Sequence, residues 1–246
     1  MSNAKPDYGI DAPGAIWKLA LAGLAGFALV IFAPKVLHFG PVDFGPHPTG
    51  WGLGIVCSTE SVLMLIYSKW GKLRHRDRIL ALHTWRGDEQ VLDVGTGRGL
   101  LLVGAAKRLQ SGHATGIDIW NKEDLSGNSL ELTEKNLAVE GVMAQCTLVS
   151  ENACAMSFAD ASFDVVVSNL CLHNIYDKTE RAKALREIAR VLRPGGEAIL
   201  SDFKHTRQYA KLLREAGLDV RRIRANWIGT FPPLAIVVAK KMEASA

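Results

Sequence analysis

The sequence predicts an α/β fold, a Rossmann-like open sheet with helices on both faces, preceded by two hydrophobic helices. Three observations predict it. An apolar strand-like run, 91–94, enters the turn Gly95-Thr96-Gly97-Arg98-Gly99 and then a helical stretch from Leu100 to Leu109. Apolar, β-branched runs recur at 114–119, 163–169 and 197–203, separated by charged helical stretches. The first seventy residues differ: two apolar segments, 15–33 and 51–67, lead into a basic run.

Residues 1–14 read as an N-terminal tail. Ala15 to Ala33 is apolar apart from Lys18 and is closed by Pro34. At 1.5 Å per residue it spans roughly 28 Å, close to the hydrocarbon thickness of a bilayer. Lys18 lies near one end, where its stem can snorkel, with Trp17 at the same level. Residues 34–50, rich in Pro, Gly and His, predict an irregular connection. The second apolar stretch carries Glu60 near its middle, which in hydrocarbon must be protonated, paired or turned to a cavity. Ala22 and Gly26 allow close helix approach. The basic run from Lys69 to Arg78 places that end in the cytoplasm by the positive-inside rule, and two spans return the N-terminus to the same side. Residues 15–70 are therefore expected to form a membrane-associated helical hairpin, anchoring the chain at the cytoplasmic face of the inner membrane. A cleaved signal peptide, a pair of interfacial helices and a soluble lid are the competing readings.

The remainder predicts one domain over 75–241, with 242–246 as a tail. Ile79 to Trp85 reads as a lead-in helix and Arg86-Gly87-Asp88 as the turn before the first strand. Ser129 to Glu140 reads as a helix ended by Gly141, with Asn128 as its cap, and 147–149 as a short strand. Asp177 caps a helix from Lys178 to Leu192, with Glu180 completing a capping box. Arg193-Pro194-Gly195-Gly196 stops that helix and starts the strand from Glu197 to Phe203. A helix over 207–216 and strands over 219–225 and 234–240 finish the domain.

The chemistry begins at the glycine turn. Its spacing is G-x-G-x-G, and Leu100 stands where the dinucleotide fingerprint places its last glycine. Asp93 lies two residues before the first glycine, where its carboxylate repels a docked pyrophosphate and attracts a cation. A cofactor bearing an ammonium and a sulfonium fits; that is S-adenosyl-L-methionine. Asp118 ends the next strand about 20 residues on, the usual place for an acceptor of ribose hydroxyls.

Taken together, "VLDVGTGRG", "GIDIW", "SFDVVVSNLCLHNI" and "VLRPGGEAIL" resemble the class I S-adenosylmethionine-dependent methyltransferases, and among them the small-molecule methylases of quinone-biosynthesis type. The resemblance covers about residues 75–240. It implies a seven-stranded sheet with the last strand antiparallel. It implies a cofactor site at Asp93, Gly95, Thr96, Gly97, Asp118, Ile119, Trp120, Asn152, Ala153, Asn169 and Leu170. At Asn152 the family commonly has an acid; an amide still accepts through its carbonyl oxygen. His173 stands where the family's substrate-facing loop begins and is the first candidate base or substrate ligand, followed by Tyr176 and His205. Each has an ordinary reading beside this one: Asp93 as a turn carboxylate, Asp118 as a strand-end acid, Trp120 as a packing aromatic, His173 as filler of its loop.

Four scattered cysteines, with no C-x-x-C, exclude a disulfide framework and a structural zinc site, and no metal is expected. A net charge of +4 is mild, and the basic run is explained by topology, so no nucleic-acid partner is expected. No Asn-Pro-Pro-Tyr loop follows the central strand, which counts against an adenine methylase. The expected partners are a membrane and a lipophilic or amphiphilic small molecule: a quinone, a prenyl lipid or a phospholipid headgroup. A soluble methyltransferase with a helical lid, a membrane-anchored binding protein with a relict cofactor fold, and a nicotinamide dehydrogenase are the alternatives.

Overall fold

The computed structural model describes residues 5–227 and 229–243. Residues 1–4 of the expected N-terminal tail and 244–246 of the C-terminal one lie outside them. Helix α1 (Pro13–Phe32) and helix α2 (Pro46–Ile66) form an antiparallel hairpin. Its seam is made of small residues. A Cβ added to Gly26 would meet the Gly54 nitrogen at 2.4 Å, and one added to Gly23 would meet Ser58 Oγ at 2.3 Å. Close backbone approach of this kind is what small residues permit. Gly23 and Gly26 make the contact; Ala22, expected beside Gly26, is not the second member.

Outside that seam the hairpin exposes its apolar side chains, among them Trp17, Leu24, Ile31, Phe32, Ile55 and Val62. The connection expected to be irregular is a small antiparallel ribbon of β1 (Leu37–Phe39) and β2 (Val42–Phe44). Gly40 at φ +61° followed by Pro41 makes the two-residue turn, a glycine-first geometry suited to tight hairpins.

The helix does not stop at the basic run. One π-turn, Tyr67–Gly71, carries α2 into α3 (Lys72–Leu80), so the lead-in helix lies earlier than 79–85. Ser68, Lys72, His75 and Ile79 share one buried face at helical spacing, while Lys69, Arg74 and Arg78 stay exposed. Charge on the outer face masked that periodicity.

A seven-stranded sheet follows, built of β3 (Gln90–Val94), β4 (His113–Asp118), β5 (Cys146–Ser150), β6 (Phe163–Asn169), β7 (Leu192–Asp202), β8 (Leu218–Asn226) and β9 (Leu234–Lys241). Their order is β5-β4-β3-β6-β7-β9-β8, parallel except for β9, which runs antiparallel to both neighbours. Helices α4 (Leu100–Ala106), α5 (Leu130–Val139), α6 (Lys178–Val191) and α7 (Thr206–Glu215) complete it. Leu92, Val94 and Val166 face a core closed by Leu185 and Ile188 of α6 and Leu213 of α7. Val91, Val165 and Val167 face the opposite core, closed by α3 and α4. Both faces are covered, which is why these strands read as continuous apolar runs.

Three local readings are corrected. Ser129, not Asn128, caps α5, accepting from Leu132 N–H. Asp177 caps α6 through Thr179 N–H and Glu180 N–H, but Glu180 pairs with Lys183 instead of closing a box. Residues 193–196 do not precede the strand; they lie inside β7, with Gly195 at φ +80° and a shift in the pairing with β6.

The N-terminal tail is a strap. Ala12 N–H donates to Asp124 O, Ser126 N–H to Ile10 O, and Ile10 N–H to Ser126 Oγ. Buried Lys72 donates to Tyr8 O and Gly9 O at 2.7 Å each and stands 3.3 Å from Asp11. Strap and α3 thus hold both open ends of the helical hairpin against the sheet domain. Lys72→Met leaves two carbonyls and Asp11 without their buried partner. It should cost about 2–4 kcal/mol of stability and speed amide exchange at 9–12 while leaving β3 and β6 protected. Equal exchange in both variants would contradict this.

Candidate cofactor and acceptor site

Strand order reverses between β3 and β6, since β4 and β5 lie to one side and β7 to the other. Ligands of open α/β sheets bind at the carboxyl ends of the strands flanking such a point. Here the turn after β3 is shaped by two glycines. Gly95 (φ +72°) passes so close to the segment after β6 that a Cβ would sit 2.2 Å from Cys171 Sγ. Gly97 (φ +54°) donates its N–H to Asp118 Oδ2 at 2.8 Å. Gly99 is the N-cap of α4 at φ +82°, a conformation only glycine adopts without strain.

Asp93 is buried under this turn. Its Oδ2 accepts from Thr96 Oγ1 at 2.8 Å and from Leu102 N–H at 3.0 Å. The first turn of α4 therefore already has a donor engaged by a carboxyl supplied by the chain. Thr96 spends its hydroxyl on Asp93, so that side chain organises the turn. Burial pushes the Asp93 carboxyl up to about 7; the two hydrogen bonds oppose the shift, and Asp118 adds to it.

The second acid, Asp118, ends β4 half-buried. Its Oδ1 accepts from Trp120 N–H and Asn128 Nδ2, and its Oδ2 from Gly97 N–H, so the carboxylate is held rigidly at the mouth. Ile119 is exposed, and Trp120, at φ +59°, donates Nε1–H to Ser150 Oγ across the end of β5. Asn152 bends its own loop, accepting from Cys154 N–H, with Ala153 packed against the core. Asn169 ends β6, and Leu170 follows at φ +54°, its N–H bound to Ser201 O.

The crevice is strongly negative. Asp118, Asp202, Asp93 and Asp124 all stand close enough to Cys171 to add to burial in holding its thiol well above the ordinary range. Asp202 and Asp124 were not singled out in the sequence, because a carboxylate at a strand end or in a loop has no spacing signature.

The three catalytic candidates separate. His173 sits in the one-turn 3-10 helix Leu172–Asn174, mostly buried, with Nδ1 2.9 Å from Asp202 Oδ1 and its ring edge-on to Phe203. Tyr176 is 88% exposed and away from these acids. His205 is exposed at the N-cap of α7; slight burial and then Arg181 hold its pKa down. His173 lies in the crevice against Asp202, and His205 stands at its edge, within electrostatic reach of Asp202 and His173.

Among the described residues, eight buried side-chain polar atoms lack a partner. Four belong to Tyr67, His75, Asn128 and Asn169, at or above the carboxyl ends of β4, β6 and β7; a fifth, His173 Nδ1, faces Asp202 without hydrogen-bond geometry. A glycine cradle, converging carboxylates and unpaired amide oxygens of Asn128 and Asn169 fit a cationic nucleoside. The fold and this crevice define a class I S-adenosylmethionine-dependent methyltransferase, with S-adenosylmethionine as cofactor.

Comparisons agree. Residues 92–200 match the family described as methyltransferase domain. The ubiquinone/menaquinone biosynthesis C-methyltransferase of Roseobacter denitrificans is 30% identical over 179 residues, covering 69% of this chain and 66% of that protein. The enzyme of the same name from Vibrio vulnificus is 33% identical over 119 residues, 48% of this chain and 42% of its own length. The chain therefore spans less than half the length of that relative. A solved Haemonchus contortus phosphoethanolamine N-methyltransferase 2, in complex with S-adenosyl-L-methionine, shares the fold at TM-score 0.57 and 17% identity, covering 69% of this chain and 53% of that one. The chain is thus a class I S-adenosylmethionine-dependent methyltransferase, and it is similar to the quinone-biosynthesis enzymes named above.

Two outcomes follow from the turn. Gly95→Ala places a methyl on Cys171 at positive φ, so adenosylmethionine affinity should fall about a hundredfold or more by calorimetry; unchanged affinity would remove the turn from the site. The second concerns pH. The Asp93 carboxyl ionises near 3.8 in the unfolded chain and about 7 in the folded one. The folded state thus keeps a proton the unfolded state has lost, and cofactor-free stability falls as pH rises between those values. The loss from this group is on the order of 4 kcal/mol, and the curve is flat above. A cationic ligand favours the ionised form, so the rise in melting temperature on adding adenosylmethionine should grow from pH 5 to 8, and Asp93→Asn should flatten both trends. A ligand increment that shrinks with pH would contradict the placement.

Proposed function

We propose that this protein sits on a membrane, at its cytoplasmic face, and moves a methyl group from S-adenosylmethionine to a ring carbon of a lipophilic quinone-type acceptor. The observation that carries the reading is where the crevice lies. Asn169, at the carboxyl end of β6, interacts with Tyr67, the first residue after the second apolar helix, so the reacting end of the site is at the base of the hairpin. Two helices long and apolar enough to cross a bilayer, with little of their surface buried, favour a membrane over a packed lid. Both open ends of the hairpin meet the sheet domain, as expected if the spans return the chain to one side. The relatives named for quinone C-methylation support the acceptor class.

Asp93, Gly95, Gly97, Asp118 and Asn169 would hold the cofactor, which supplies an electrophilic methyl on a sulfonium. The crevice carboxylates offset that positive charge and orient it, and alignment in a dry site is most of the work of a methyl transfer. A ring carbon that gains a methyl must release a proton. His173 would take it on Nε2, with Asp202 beside Nδ1 stabilising the imidazolium. Lipid extracts incubated with labelled adenosylmethionine should yield a labelled, organic-soluble aromatic product, and the full chain should remain with vesicles at high salt. Label confined to water-soluble products, or release from vesicles by salt, would overturn this function.

A further inference from the structure

Tyr67 and His75 belong to no motif, lie outside the methyltransferase-matched segment, and enter the site only because α2 and α3 are one helix. Both are buried, and both keep hydrogen-bonding capacity unused among the described residues: the Tyr67 hydroxyl hydrogen, whose oxygen faces the Asn169 amide, and His75 Nδ1. They form one cluster with Asn169 and Ser201. Their rings lie 6.5 Å apart between centroids. His75 Nε2 is 2.7 Å from Ser201 Oγ. Ser201 is the cross-strand partner of Asn169 between β7 and β6, and the Asn169 amide faces Tyr67 while its Oδ1 is unpaired.

Buried polar atoms are costly when unpaired, and native interiors leave few. Three within one contacting cluster make an unfinished hydrogen-bonding site. Its inventory is specific: the Asn169 Oδ1 accepts only, so a guest must donate a hydrogen, while the tyrosine hydroxyl offers one in return. A hydroxyl group does both.

Resting on the acceptor class given under Proposed function, we propose that Tyr67 and His75 are positioning residues for the acceptor: from the helix that leaves the apolar hairpin, they hold a ring hydroxyl against Asn169. A substrate arriving along the hairpin is then oriented by the same helix that guided it.

The test uses the full chain in phospholipid vesicles and two probes, a prenylated phenol and its O-methyl ether. Wild-type turnover of the phenol tests the acceptor class itself; the ratio of the two probes tests this inference. Tyr67→Phe should raise KM for the phenol about tenfold, the loss of one hydrogen bond, with KM unchanged for the ether, whose added methyl cannot donate to Asn169 and keeps its oxygen away from Tyr67. His75→Gln, which reaches Ser201 but has nothing at the Nδ1 position, should do the same. Adenosylhomocysteine affinity by calorimetry should stay within about twofold, and Ser201→Ala replaces either variant that fails to fold. If KM for both probes changes equally, or for neither, the cluster holds only a structural water and the proposal is overturned.

Discussion

A carboxylate buried beneath a glycine turn constrains everything around it. Asp93 takes the N–H of Leu102 at the start of α4 and the hydroxyl of Thr96, so the positive end of that helix is already answered from inside. A diphosphate docked there would meet a site whose donors are engaged and whose nearest charge is negative. The same carboxylate stands among Asp118, Asp124 and Asp202, and the crevice between β3 and β6 gains an electrostatic preference for a cation. Burial sets the cost: the carboxyl is held up to about 7 until something positive favours its charge. Cofactor choice and pH response thus come from one interaction.

The second constraint is mechanical. A helical pair with glycine at its seam and apolar side chains outward has little to bind it to a water-soluble sheet. The connection is made by two devices. One is the continuation of α2 through a π-turn into α3, whose Ile79 and Leu80 enter the core. The other is the strap, latched by Lys72 and paired with residues 124–126 beside the glycine turn. The strap lies against the loop that carries Asp118 toward Asn128, so the segment leading into the hairpin and the loop beside the crevice share hydrogen bonds.

Legibility followed the physics of each element. The strands of the inner sheet were readable because both faces are covered and nearly every residue is apolar. The glycine turn and Asp118 were readable because their chemistry requires neighbours close in the chain. The basic run was misread as a boundary since its outer charges hid the buried face of Ser68, Lys72, His75 and Ile79. Asn128 was placed as a helix cap by its position, whereas its amide reaches back to Asp118 and Asn121. Ser129 was free to cap instead.

By itself the sequence determined the α/β class, the order of the elements, the two apolar helices and a turn averse to phosphate, because each rests on periodicity or on residues adjacent in the chain. Only the tertiary structure decided that His173 meets Asp202, that Tyr67 and His75 meet Asn169 and Ser201, and that residues 7–12 close over the cofactor loop. Those pairs join positions 29 to 126 residues apart. No local pattern encodes such distances; they arise when parallel strands bring their carboxyl ends to one edge and a helix from outside the sheet is laid across it.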